Sequence, residues 1–140
     1  MQDDSPSTSA LQDFLIDAEV LLTKTQECLM HLELIGNDPD AIDCMVDTLG
    51  SLANRAQAHD QSEIAEFCLQ LRLLLEPERY RNRLHGEALT VLSDCLTLLC
   101  WQLELIDPQT GILSLDNQEQ LELIGNLTNT LDPQEASRAE

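Results

Sequence analysis

The stretch Asp47-Thr48-Leu49-Gly50-Ser51 gathers a carboxylate and two hydroxyls, groups that serve in proton or acyl transfer when a partner stands beside them. The spacing predicts a helix here, with Met45, Val46, Leu49, Leu52, Ala53 and Ala56 facing a core. Asp47 is about 200° around that helix from Met45 and should point into water. At helical spacing it has no base, cation or second acid, and Thr48 and Ser51 have no base. A charged residue on a wet helix face is the expectation.

The other reactive residue types are as sparsely supported. Glu27 and His31 lie four residues apart, whereas a bundle di-iron site uses Glu-x-x-His pairs facing inward, and no second pair exists. His31 reads as a surface or boundary residue, and His59 (in a turn) and His85 (at a helix start) as solvated side chains. Cys28, Cys44, Cys68, Cys95 and Cys100 form no C-x-x-C pair, and their number is odd. All but Cys44 fall clearly within apolar stripes, where a thiol behaves as a small hydrophobe. No Gly-rich phosphate loop, H-E-x-x-H, nucleophile elbow or calcium loop occurs. No catalytic residue, metal ligand or cofactor is therefore assigned.

The elements that would carry these residues are helices. Ser9 is a candidate cap, boxed with Gln12, for a first helix whose face runs from Leu11 and Phe14 through Ala18, Leu22, Cys28 and Leu32 to Ile35. Gly36 should end it. Asp38-Pro39 then supplies a cap and a first helical residue for the second helix, which should run to about Ala56. Asp60 is expected to cap a third helix with Ile64, Phe67, Cys68, Leu71, Leu74 and Leu75 inward, ended by Pro77. A fourth helix is expected over roughly Asn82 to Ile106. Asp107-Pro108-Gln109-Thr110-Gly111 breaks the chain. A fifth helix should start at Asp116 and present Leu121, Ile124, Leu127 and Leu131, with Gly125 weakening its last turns. Leu-Glu-Leu-Ile-Gly-Asn occurs at 32–37 and again at 121–126, but the flanking sequence does not repeat, so it reads as coincidence. Short joints imply an all-α fold, an antiparallel up-and-down four-helix bundle with an additional C-terminal helix. Residues 1–9 and 132–140 are expected to be flexible ends, and 10–131 the bundle.

Charge narrows the partners. Seven Lys and Arg against 26 Asp and Glu give −19, which argues against nucleic acid or an anionic bilayer. Arg72, Arg79, Arg81 and Arg83 are the only basic cluster, and nearby carboxylates should pair with them. No uninterrupted apolar run approaches 18 residues, so membrane insertion is not expected. The polar, acidic first residues do not read as a secretory signal. Thiols without a disulfide pattern fit a reducing cytoplasm. A monomer is favoured, with a homodimer as the rival.

Over roughly residues 10–107 the chain resembles a histidine-containing phosphotransfer domain of the kind found at the amino end of chemotaxis-type kinases. That family carries an exposed His on the second bundle helix, followed by Thr-Leu-Lys-Gly-Ser-Ala. Here Cys44-Met45-Val46-Asp47-Thr48-Leu49-Gly50-Ser51-Leu52-Ala53 stands in that place. Phe14-Leu15-Ile16-Asp17-Ala18-Glu19 and Ser62-Glu63-Ile64-Ala65-Glu66-Phe67-Cys68-Leu69-Gln70-Leu71 also have the family's look. Asp47 takes the position of the phosphoryl-accepting His, and Gly50 that of the Lys. A lone surface carboxylate lacks the nucleophilic nitrogen of imidazole, and losing the Lys removes a cation for incoming phosphate.

The resemblance implies a degenerate, non-catalytic form, similar to inactive versions in regulators of type IV pilus and twitching pathways. Its partner would be a receiver or histidine-kinase-type domain docking around Asp47, Gly50 and Ser51, with small residues permitting close approach. The alternatives are an acidic scaffold that attracts basic proteins through its charge, and an unconventional phosphotransfer protein using another histidine.

Overall fold

A computed structural model describes residues 6–36, 38–81 and 83–131. Among the described residues six helices run in chain order: α1 Pro6–Ile35, α2 Pro39–Ala58, α3 Ser62–Leu75, α4 Glu78–Arg81, α5 Glu87–Leu105 and α6 Gln118–Leu131. The fold is all-α. Among the described residues the only strand-like pairing is an isolated antiparallel bridge between Ile106 and Leu113. Of the two ends expected to be flexible, 1–5 and 132–140 lie outside the described residues.

Helix α2 is the centre of the packing. It lies against α1 on one flank and α3 on the other, while α5 packs against α1 and α6, and α6 also touches α3. Phe14, Ala18 and Leu32 of α1, Met45, Leu49 and Leu52 of α2, Phe67, Cys68 and Leu71 of α3, and Leu92, Cys95 and Leu99 of α5 are all essentially inaccessible. Each buried Leu, Phe or Met of this set contributes about 1.5–3 kcal/mol relative to exposure. With so few aromatics, aliphatic side chains fill most of the interior. On α1 the expected inward stripe is met with one clear exception: Ile35, in its last turn, is 60% exposed.

Helix ends follow local chemistry, not always the residue expected. Asp38 caps α2, its Oδ1 accepting from the N–H groups of Asp40 (3.1 Å) and Ala41 (3.3 Å), with Pro39 in the first turn. Gly36, at φ +93°, ends α1 by donating its N–H to Leu32 O at 2.8 Å. The start of α1 lies at Pro6, ahead of the expected cap Ser9, because proline is preset for a first helical turn.

Asp60 does not cap α3. It sits at φ +62° and closes α2 instead, with Gln61 N–H bonded to Ala56 O and Asp60 N–H to Gln57 O. Those two bonds form a Schellman ending, in which Asp tolerates the left-handed position usually given to Gly. Gln61 then precedes α3 and buries its side chain, whose Nε2 donates to Gly111 O at 2.7 Å.

The expected fourth helix begins late, at Glu87 and not near Asn82, and a separate short helix precedes it. Pro77 opens the single turn α4, and Glu78, 1% exposed, accepts from Arg83 N–H (2.8 Å), Nε (3.1 Å) and Nη2 (2.7 Å). That buried carboxylate ties the turn down, and Gly86 at φ +58° redirects the chain into α5. At α6, Asp116 Oδ1 accepts from Gln118 N–H as expected of a helix start. Ile124, Leu127 and Leu131 of α6 pack against the core as expected, and the first turn departs from expectation. Leu121 is 52% exposed, whereas Gln120 is buried and accepts from Gln102 Nε2 of α5 at 2.8 Å.

Helix α5 has 19 residues and a mean hydropathy of 1.3 in its most apolar window, enough by length and composition for a membrane span. Half of that window is buried within the fold, where Leu92, Cys95 and Leu99 form core.

Candidate functional site

The outer ridge of α2 carries the residues singled out by sequence. Asp47 and Ser51 are exposed one turn apart, with Asp40 and Asn54 continuing the same line. Thr48 is buried and donates its hydroxyl to Cys44 O at 2.7 Å. That hydroxyl is engaged as a helix back-bond.

Gly50 departs from the expected open position: it is buried, not exposed. A Cβ built there would lie 3.3 Å from Arg72 Nη1 and 3.5 Å from its Cζ. The missing side chain thus admits the Arg72 guanidinium from α3, so close approach at position 50 is made by the chain itself. Arg72 therefore lies over the residue three positions along the helix from Asp47, and its ion-pair partner is Glu76. Its Nε is buried and stands 3.6 Å from Glu76 Oε2, too long for a hydrogen bond.

Ion pairs fix both flanks of the ridge. On the α3–α4 side, Asp43 Oδ1 accepts from Arg79 Nη1 at 2.6 Å, which raises the Arg79 pKa through that hydrogen bond. On the α1 side, Asp17 Oδ2 accepts from Arg55 Nη1 at 2.8 Å. Both pairs are solvent-facing, so water screens them and each contributes little to stability. Their role is to orient α2 against its neighbours. Of the basic cluster read from sequence, Arg72, Arg79 and Arg83 pair with Glu76, Asp43 and Glu78, while Arg81 is exposed.

The histidines stand apart from this ridge. His31 is half-exposed, with Nδ1 2.7 Å from Asp38 Oδ2. His59 is not simply solvated. Its ring stacks on Phe14 at 5.0 Å between centroids, 25° off parallel, and it is half-buried. His85 is exposed. All five cysteines are free, and burial pushes Cys68 and Cys95 up to about 12. Cys28 is likewise pushed up to about 12, first by burial and then by its hydrogen-bonding neighbour Cys44 across the α1–α2 seam. Thiols so shifted stay protonated near neutrality and are poor nucleophiles. Cys68 and Cys95 are core side chains, whereas Cys28, Cys44 and Cys100 are half-buried. Among the described residues, no group of three or more His, Cys, Asp or Glu is placed to hold a metal ion.

Comparison with family models, curated proteins and solved structures found no match to this chain. The partners of the ridge missed by sequence reasoning are Arg72, Arg79, Asp43 and Asp17. Each acts across a helix seam 22 to 38 residues away in sequence, where helical spacing carries no signal.

Proposed function

We propose that this chain is a non-catalytic protein-interaction module of the phosphotransfer-domain type, an adaptor in bacterial two-component, chemosensory or type IV pilus signalling. The observation that carries this reading is the outer ridge of α2. Asp47 stands exposed where the family places its reactive His, on a helix held by ion pairs on both flanks. A docking surface gains from a backbone that is set before the partner arrives, and α2 is packed between α1 and α3. Asp47 and Ser51 would meet a receiver or histidine-kinase-type domain, while the buried Gly50 admits Arg72 from α3. The unbridged thiols suit a reducing cytoplasm, and the half-burial of α5 suits a core helix. The surplus of 19 negative charges disfavours nucleic acid.

Titration against receiver and chemotaxis-type kinase domains tests the reading. Asp47→Arg with Ser51→Arg should weaken a complex at least about tenfold while leaving helicity and melting unchanged. Unaltered affinity would reject the ridge. Phosphorylated receiver should leave the chain unlabelled, and stable label on His31, His59 or His85 would favour phosphotransfer instead. Capture of strongly basic partners only, released by moderate salt, would favour the acidic scaffold.

A further inference from the structure

Helix α1 leaves an unusual set of side chains in water on the face turned away from α2 and α5. Ile16 is 61% exposed, Val20 63%, Met30 59% and Leu34 82%, and Thr23 and Glu27, also exposed, complete the row. The spacing of Ile16, Val20, Thr23, Glu27, Met30 and Leu34 alternates four and three residues without a break. That is the heptad seam of a helix that pairs with another helix. It runs along about 27 Å of α1. The buried face of α1 is separate and already filled by Phe14, Ala18, Leu22, Leu29 and Leu32.

The row is also symmetric about residue 25. Turned end for end, Ile16 falls opposite Leu34, Val20 opposite Met30, and Thr23 opposite Glu27. Each layer then pairs one seam position with the other kind, as antiparallel helix pairs do. At the centre lie Glu27 and Lys24, both exposed, and Lys24 is the only lysine in the chain. An antiparallel partner brings each Glu27 beside the other copy's Lys24, so four central charges alternate in sign. A parallel partner would instead set Glu27 against Glu27. A self-complementary patch of this kind is what a two-fold interface requires.

We propose that the outer face of α1 is the interface of a homodimer, formed with a second copy antiparallel about residue 25. Each chain keeps its own complete core, so the copies associate as folded units. Two chains of charge −19 repel each other, and Glu19 and Glu33 flank the seam, so association should strengthen as salt screens the repulsion. That salt response is opposite to that of an acidic surface binding basic proteins.

Sedimentation of the full chain across concentration and salt tests this. The mass should rise from 15.7 kDa toward twice that value, more readily at high salt. Val20→Glu with Leu34→Glu should abolish the dimer, and because both positions are exposed, helicity and melting should hold. Lys24→Glu alone and Glu27→Lys alone should each weaken dimerisation about tenfold or more, and the double exchange should restore it. Glu27→Gln should also weaken it. A monomer at all concentrations and salts would overturn the proposal. So would a dimer indifferent to Val20→Glu with Leu34→Glu, a double exchange that fails to rescue, or a Glu27→Gln variant that dimerises more tightly. The ridge residues Asp47 and Ser51 lie on another helix, so failure here leaves the docking reading standing, and the converse also holds.

Discussion

The same six residues, Leu-Glu-Leu-Ile-Gly-Asn, end one helix and run through the middle of another. At 32–37 the glycine turns to φ +93° and α1 stops, whereas at 121–126 Gly125 stays within α6, which continues to Leu131. Burial is reassigned as well. Leu32 is 1% exposed and Leu121 52% exposed, although each opens its copy. The difference lies in the residues just C-terminal to each copy. After the first, Asp38-Pro39 begins a new helix, and the N–H groups of Asp40 and Ala41 are drawn to the Asp38 side chain. After the second, Leu127 and Leu131 come round to the core at helical spacing, and their burial carries the helix past the glycine. A local sequence thus offers a stop, and the next apolar contact decides whether it is taken.

The largest break in this comparison should come from truncating the first leucine of each copy. Leu32→Ala removes a buried side chain between α1 and its neighbours and should destabilise by about 2–5 kcal/mol. Leu121→Ala should change stability by less than about 1 kcal/mol. Urea unfolding of both variants checks this through the shift in midpoint at constant slope. Equal costs at the two sites would show that α6 is set by its apolar row and not by Gln120.

The first turn of α6 marks where sequence reasoning stopped. Amphipathic spacing located the long helices, Asp38-Pro39 and Asp116 marked helix starts, and Gly36 marked an end. These are contacts within a few residues, so one stretch of chain contains both partners. Gln120 facing inward was not legible, because a buried amide is tolerable only when Gln102, eighteen residues away, donates to it. Asp60 shows a different ambiguity: the residue suits both a cap and a left-handed ending, and α2 claims it. At the ridge, exposed Asp47 was legible from spacing alone. The guanidinium over Gly50 was not, since only the packing of α3 on α2 brings Arg72 there.

The glycine of the first copy should give the next effect. Gly36→Ala puts a Cβ at φ +93°, where nothing crowds it but the backbone itself is unfavourable. The expected destabilisation is about 1–2 kcal/mol, read as a lower melting temperature. A neutral result would mean that α1 ends without the left-handed turn.

Removing the cap at Asp38 should be milder. Asp38→Ala frees the N–H groups of Asp40 and Ala41 and should destabilise by about 1 kcal/mol. Asp38→Asn retains a capping oxygen but loses the carboxylate facing His31 Nδ1, so it isolates that half-exposed pair. A loss of only a few tenths of a kcal/mol for Asn is about what such a pair supplies. If Asn destabilises as much as Ala, the pair and not the cap holds the α1–α2 joint.

The smallest effect should have the opposite sign. Gly125 is exposed, lies inside α6, and a Cβ there would meet nothing within 4 Å. Gly125→Ala therefore restricts the unfolded chain without strain in the folded one and should stabilise by about 0.5–1 kcal/mol. Measured beside Gly36→Ala, the pair of variants makes one substitution, after the same four residues, raise stability in one copy and lower it in the other. Side-chain contacts cannot produce that reversal, because neither new methyl meets a neighbour. The backbone angle alone distinguishes the sites. A destabilising Gly125→Ala would place a turn inside α6, and the hexapeptide would then be a helix ending in both copies.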